Sequence, residues 1–189
     1  MTVPRLLLLT DRSQLPVGRE LTDTVRACAE AGLTRVVVRE HDLAPDARGR
    51  LVADLAAIPG LTVLASRVPV DGAAGLHLAA GQERPAAGWF GRSCHDVGEV
   101  RAAAAEGAGY VTLSPFAATP SKPGYGPPVL PGDYRDDHGV PVLALGGIDP
   151  GNAARARAAG AHGVAVMGCV MRADDPAELV RRLLAEVGR

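Results

Sequence analysis

Residues 140–167 read VPVLALGGIDPGNAARARAAGAHGVAVM. Two apolar runs, Val140–Leu145 and Gly163–Met167, flank an Ala- and Arg-rich segment, Asn152–Ala159, that stops at Gly160. VLAL and VAVM are apolar at every position, as strands covered on both faces are; a strand with one wet face would alternate. A strand, a glycine turn, a helix ended by glycine and a second buried strand make a βαβ unit, in which the two strands run parallel through a right-handed crossover.

The same grammar extends in both directions. Further strands are expected at Leu6–Thr10, Arg35–Arg39, Leu61–Ala65, Gly75–Leu78, Gly88–Arg92 and Tyr110–Leu113. Helices are expected at Arg19–Ala31, Asp46–Ile58, Asp96–Glu106 and Asp175–Val187, with Asp96 as an N-cap, Gly107 as a stop and Pro176 at a first-turn position. The crossovers around residues 66–74, 80–87 and 127–138 are short or rich in Pro and promise little helix. The motifs EAGLTRVVV, AEGAGYVTL and AAGAHGVAV share a helix–Gly–strand turn that any βα protein uses, so no internal repeat is inferred. Eight strands alternating with connectors fit either a doubly wound open sheet or a closed barrel. No linker interrupts the chain, so residues 1–189 are expected to form one domain.

Composition removes several function classes. The net charge of −1 gives no electrostatic case for nucleic acid or an anionic membrane surface. Aromatic residues are only 3%, so the core must be built from Val, Leu and Ala. Cys28, Cys94 and Cys169 are widely spaced and lack a CxxC pair, which offers neither a zinc pattern nor a disulfide framework and points to a reducing cytoplasm. The Leu run at 6–9 is too short for a signal peptide or for a span of ~20 apolar residues.

In a closed parallel barrel the chemistry gathers just after each strand. Gly146-Gly147 after the seventh strand and Met167-Gly168 after the eighth let backbone approach an oxyanion closely; a tight turn needing positive φ explains the same glycines without a ligand. The segment Ala118–Pro127 carries Thr119, Ser121 and Lys122, the only lysine in the chain, among hinge-like Gly and Pro. Arg39 sits at a buried strand end, where it must hold an anion or pair with a carboxylate such as Glu40. His41, His77 and His95 lie at strand ends and titrate where a general acid or base is useful, although a lone strand-end His more often serves hydrogen bonding. No Ser-His-Asp, HExxH or P-loop pattern is present.

These residues assemble into a known order. LLLLTDR, VVVREHD, GLHLAAG, GRSCHDVGEV, GAGYVTLSPFAATPSK, VPVLALGGIDPGN and GAHGVAVMGCVM resemble, in sequence and spacing, the thiamine phosphate synthases and their paralogues, the TenI-type thiazole tautomerases. The likeness covers essentially the whole chain. It implies a compact single-domain (β/α)₈ TIM barrel that binds a small phosphorylated thiazole-type ligand. By that resemblance Arg39 matches an anion-binding arginine and Ser93 the serine of GxSxH. Thr119, Ser121 and Lys122 match a phosphate-gripping loop, while Gly147 and Gly168 lie in the two phosphate turns. Barrels of this type often self-associate, so a homo-oligomer is among the expectations, though no exposed apolar stripe marks an interface.

The chain departs from the synthase pattern where metal chemistry would sit. QLREK after strand two becomes Val37, Arg39 and His41 at the Gln, Arg and Lys positions. The two aspartates that hold Mg²⁺ in the synthases fall at Ser66 and Gln82. Hard carboxylate oxygens are the usual ligands for Mg²⁺, so their loss argues against ionisation of a pyrimidine pyrophosphate. The resulting expectation is a tautomerase that moves a proton on a thiazole phosphate without cofactor or metal. That branch's proton-transfer His falls at Pro115, so His41, His95 or His77 would have to substitute. The alternatives are a thiamine phosphate synthase, for which Mg²⁺ would be needed, and a non-catalytic or repurposed phosphate-binding relative.

Overall fold

The computed structural model describes residues 2–118, 127–134 and 138–188. Eight strands close into a barrel in sequence order: β1 (Leu6–Leu9), β2 (Arg35–Val38), β3 (Thr62–Ser66), β4 (Leu76–Leu78), β5 (Phe90–Cys94), β6 (Tyr110–Leu113), β7 (Val142–Leu145) and β8 (Gly163–Val166). All eight pairings are parallel, and β8 closes on β1 with Leu7 opposite Ala165. The fold is a single-domain (β/α)₈ TIM barrel, and the choice between open sheet and closed barrel is settled. All eight expected strands form; β5 begins two residues later than expected, because Gly88 adopts φ +102° in the preceding turn.

Helices cover the barrel as α1 (Leu21–Glu30), α2 (Pro45–Ala56), α3 (Val97–Ala105), α4 (Ala153–Ala158), α5 (Gly168–Met171) and α6 (Pro176–Val187). Asp96 caps α3 by accepting the Glu99 N–H at 2.8 Å, and Asp175 caps α6 through the Glu178 N–H at 2.8 Å. Segments 66–74 and 80–87 contain no helix, as their composition indicated. Of these six α-helices, only α5 lacked a sequence signal: it is four residues long, too short for any periodicity.

Strand parity divides the core in two. Leu6, Leu8, Val36, Val38 and Val63 pack outward against the helices, while Leu7, Leu9, Val37, Leu64, Leu143 and Ala165 meet inside the barrel. Both faces are apolar, which is why the strands read as unbroken runs. The N-terminal end of the barrel is filled by aromatic rings rather than aliphatic side chains. Trp89 stacks on Tyr110 at 5.3 Å, and a Cβ on Gly91 would come within 1.9 Å of the Tyr110 ring. Among the described residues, no helix is long and apolar enough to cross a membrane.

Candidate active site

The alternation that builds the interior also builds the site. Arg39 continues the inward face of β2 two residues after Val37, Ser66 that of β3 after Leu64, and Met167 that of β8 after Ala165. All three line a cavity of about 440 Å³ at the C-terminal mouth, with Arg67, His77, Ser93, His95, Gly146, Gly147, Gly168 and Arg172. This is the face on which such barrels carry chemistry.

The glycine turns are needed for geometry. Gly147 has φ +64°, and a Cβ there would lie 2.5 Å from the Ala118 carbonyl oxygen and 2.6 Å from that of Ala117. Asn152 braces the turn by donating from its side chain to the Gly147 carbonyl at 2.7 Å. Gly146 also has positive φ, +93°. A Cβ on Gly168 would meet the guanidinium of Arg172 and the side-chain oxygen of Gln14. Two turns and one short helix therefore converge on the cavity, an arrangement that commonly holds phosphate after strands seven and eight.

The arginines supply the charge. Glu40 is buried, but it pairs with Arg12 (3.1 Å) from the loop after β1, which also grips Asp42 at 2.6 Å. Arg39 thus lacks a carboxylate partner within salt-bridge distance among the described residues; its Nη1 lies 2.6 Å from the Met167 sulfur. Arg67 has none either, and its backbone is the one non-glycine position with positive φ among the described residues, at +64°. Of the carboxylates among the described residues, only Asp149 lines the cavity, and its Oδ1 accepts the Gly151 N–H at 2.7 Å.

The three histidines are placed differently. His77 is buried inside the barrel, with Nδ1 2.7 Å from the Tyr110 hydroxyl and Nε2 2.9 Å from Ser93 Oγ. Burial, with Arg39 nearby, pushes its pKa down to about 3, so it is neutral near pH 7. His95 is exposed on the cavity wall, its Nδ1 near the Ser114 hydroxyl and carbonyl (3.2 and 3.3 Å). His41 stands outside the cavity lining, 3.4 Å from Ser66 Oγ. Partial burial and the neighbouring Arg67, Arg48 and Arg39 lower its pKa. The cavity lining thus takes in His77 and His95 but not His41. Thr119, Ser121 and Lys122 lie outside the described residues.

Sequence reasoning missed Tyr110, which opens β6 at the N-terminal end of the barrel, away from the strand ends that carry the site, and Arg172, which directly follows the four-residue α5. Arg67 is one of several polar residues that directly follow a strand, with nothing in the sequence to single it out. Its significance comes from the conformation of its backbone, for which a sequence holds no signal.

The residues at the two aspartate positions do not fit Mg²⁺. Ser66 offers one hydroxyl beside His41. Gln82 uses both side-chain atoms on backbone, accepting the Ala79 N–H at 3.2 Å and donating to the Arg67 carbonyl at 2.7 Å. Among the described residues no group of three or more His, Cys, Asp or Glu could hold a metal ion. A dication at this rim would also share the cavity wall with the guanidinium groups of Arg39 and Arg67.

Comparison with known proteins gives a consistent result. The family model described as thiamine monophosphate synthase matches residues 6–170. A Geobacter sulfurreducens protein provisionally named thiamine-phosphate synthase is 38% identical, with the alignment covering 95% of this chain and 92% of that protein. The thiamine-phosphate synthases of Albidiferax ferrireducens and Moorella thermoacetica are each 34% identical, covering 95% and 94% of this chain and 90% and 93% of their own. In fold, the chain is similar to thiamine phosphate pyrophosphorylase from Pyrococcus furiosus, with a TM-score of 0.83 at 22% identity over 97% of this chain and 95% of that one. These relatives overturn the expectation of a tautomerase. The missing aspartates bear on how a leaving group is held, which is a different question from which bond the barrel makes. With the match running over residues 6–170, the chain belongs to the thiamine monophosphate synthase family.

Proposed function

We propose that this protein is a transferase of the thiamine-phosphate synthase type, joining a hydroxymethylpyrimidine diphosphate to a thiazole phosphate and releasing inorganic pyrophosphate. The thiazole ring nitrogen gives its lone pair to the pyrimidine methylene carbon. The bond from that carbon to the diphosphate oxygen breaks, and its electrons leave with the pyrophosphate. Such a reaction needs two anionic groups in one cavity, and the observation that carries the reading is that this cavity has two kinds of anion-holding element. The turns at Gly146, Gly147 and Gly168, with Met167 beside them, suit a phosphate monoester through backbone N–H groups. Arg39 and Arg67, neither paired with a carboxylate, suit the diphosphate. Ser93, held by His77 at the cavity wall, is assigned to the pyrimidine. His95 and His41, at the wall and the rim, are assigned no proton-transfer step. Thr119, Ser121 and Lys122 are assigned, by family resemblance alone, to the loop that closes on phosphate.

The test is to incubate the purified chain with both substrates and quantify thiamine phosphate and pyrophosphate. One pyrophosphate per thiamine phosphate is expected, and nothing when either substrate is omitted. Arg39→Ala should lower kcat/KM roughly 10- to 100-fold, the value of a charged hydrogen-bonded contact. Absence of thiamine phosphate, with and without Mg²⁺, from folded protein that binds both substrates overturns the reading.

A further inference from the structure

We infer that this chain holds its diphosphate by arginine alone, with Gln82 recast from a metal-ligand position into the clamp that presents Arg67. The inference rests on the transferase reading for the identity of the ligand. Its structural content is that the metal-binding corner of the family site has become an arginine-binding corner.

Three observations support it. Gln82 is fixed at both ends: its side chain donates to the Arg67 carbonyl at 2.7 Å, and its own carbonyl accepts from the buried Arg92 at 2.5 Å. The Arg92 guanidinium also holds the carbonyls of Ala79 and Ala80 at 3.1 and 2.9 Å and pairs with Glu106 at 2.6 Å, so the whole 79–82 turn is anchored from below. Arg67 is fixed in turn. Its N–H donates to the His77 carbonyl at 2.8 Å, and its φ of +64° is a conformation that a bulky residue rarely adopts without support. Held at N–H by β4 and at carbonyl by Gln82, the Arg67 backbone fixes the residue on the cavity wall that also carries Arg39.

The chemistry is consistent with that geometry. A diphosphate is multiply negative at neutral pH and presents adjacent oxygens to planar donor forks, which two guanidiniums satisfy bidentately. A divalent cation in the same corner would be repelled by those guanidiniums and would find a serine and an engaged amide where it needs carboxylates. The leaving group's charge is therefore neutralised as the C–O bond breaks, without a metal bridge.

The experiment is calorimetric titration of inorganic pyrophosphate into the purified chain, once in EDTA and once in excess Mg²⁺. Binding in EDTA should be at least as tight as in Mg²⁺, which competes for pyrophosphate in solution. Arg67→Ala should weaken it about 10- to 100-fold. Gln82→Ala should weaken it less and should leave the binding of inorganic phosphate at the glycine turns unchanged, an outcome that general unfolding would not give. The Ser66→Asp/Gln82→Asp double variant, with two carboxylates restored and the clamp removed, should acquire Mg²⁺-dependent binding. Pyrophosphate binding that requires Mg²⁺ in the wild-type chain, or that is absent in both conditions, overturns the inference. Failure is separable from failure of the transferase reading. Thiamine phosphate made only with Mg²⁺ keeps that reading and ends this inference; metal-free pyrophosphate binding with no coupling does the reverse.

Discussion

Tyr110 and His77 lie 33 positions apart in the chain, yet their 2.7 Å hydrogen bond decides which proton faces the cavity. Burial raises the phenol pKa and lowers that of the imidazole, so both are neutral at neutral pH. With His77 Nδ1 as the acceptor for the enclosed Tyr110 hydroxyl proton, the tautomer expected is Nε2–H. In that tautomer Nε2–H donates to Ser93 Oγ at 2.9 Å, and the Ser93 proton is left to donate into the cavity. Tyr110→Phe should strand a buried Nδ1 and reduce stability by about 1–3 kcal/mol in urea titrations. Long-range ¹H–¹⁵N spectra should show the Nε2–H tautomer in the wild type and a shifted tautomer balance in the variant. A wild-type spectrum of the Nδ1–H form would reverse the donor assignment of Ser93. Sequence alone places His77 at a strand end. Its partner is hidden there, because Tyr110 lies at the start of β6 and reaches the imidazole only through the closed barrel.

At the scale of elements, the turn after β7 and the turn after α3 both need glycine, but for different reasons. Gly107 has φ +85° with nothing within 4 Å of an added Cβ, whereas Gly147 has φ +64° and two carbonyl oxygens within 2.6 Å. Gly107→Ala should therefore cost only backbone strain, about 1–2 kcal/mol. Gly147→Ala should cost more than that and also displace the turn, so inorganic phosphate binding should weaken in this variant and not in Gly107→Ala. Equal losses of stability and unchanged phosphate binding in both would show that the β7 turn does not touch the ligand. The strands were legible because burial on both faces writes itself into runs such as VLAL, and the α3 cap because Asp96 precedes helical periodicity. What composition could not convey was function by position. Gln82 reads as a lost metal ligand until its amide is seen on the Arg67 carbonyl. Glu40 reads as the natural partner of Arg39 until Arg12 is found holding it.

Across the whole molecule, a net charge of −1 coexists with a cavity whose wall, among the described residues, carries Arg39, Arg67 and Arg172 against one carboxylate, Asp149. That imbalance lies above a barrel interior whose polar chain is held neutral, and the neutrality sets a pH limit on stability. His77 has a folded pKa of about 3 against an ordinary 6.5. Between those values the unfolded chain binds a proton that the folded chain refuses, so stability falls as pH drops below 6.5, by up to about 1.4 kcal/mol per pH unit from this residue. His41 and His162 are also shifted down, chiefly by burial, and act in the same direction more weakly because both reach solvent. Asp11 and Asp42 are lowered carboxylates, whose contribution is lost only below an ordinary value of 3.8, outside the window from pH 7 to 5. Urea unfolding at pH 7 and pH 5 should therefore show a loss of about 2 kcal/mol attributable to His77. His77→Gln, less stable at pH 7 through its altered packing, should lose correspondingly less on acidification. If wild type and variant have the same slope between pH 7 and pH 5, His77 takes up a proton in the folded barrel, and the Tyr110–His77–Ser93 chain cannot hold the neutral tautomer on which the Ser93 donor depends.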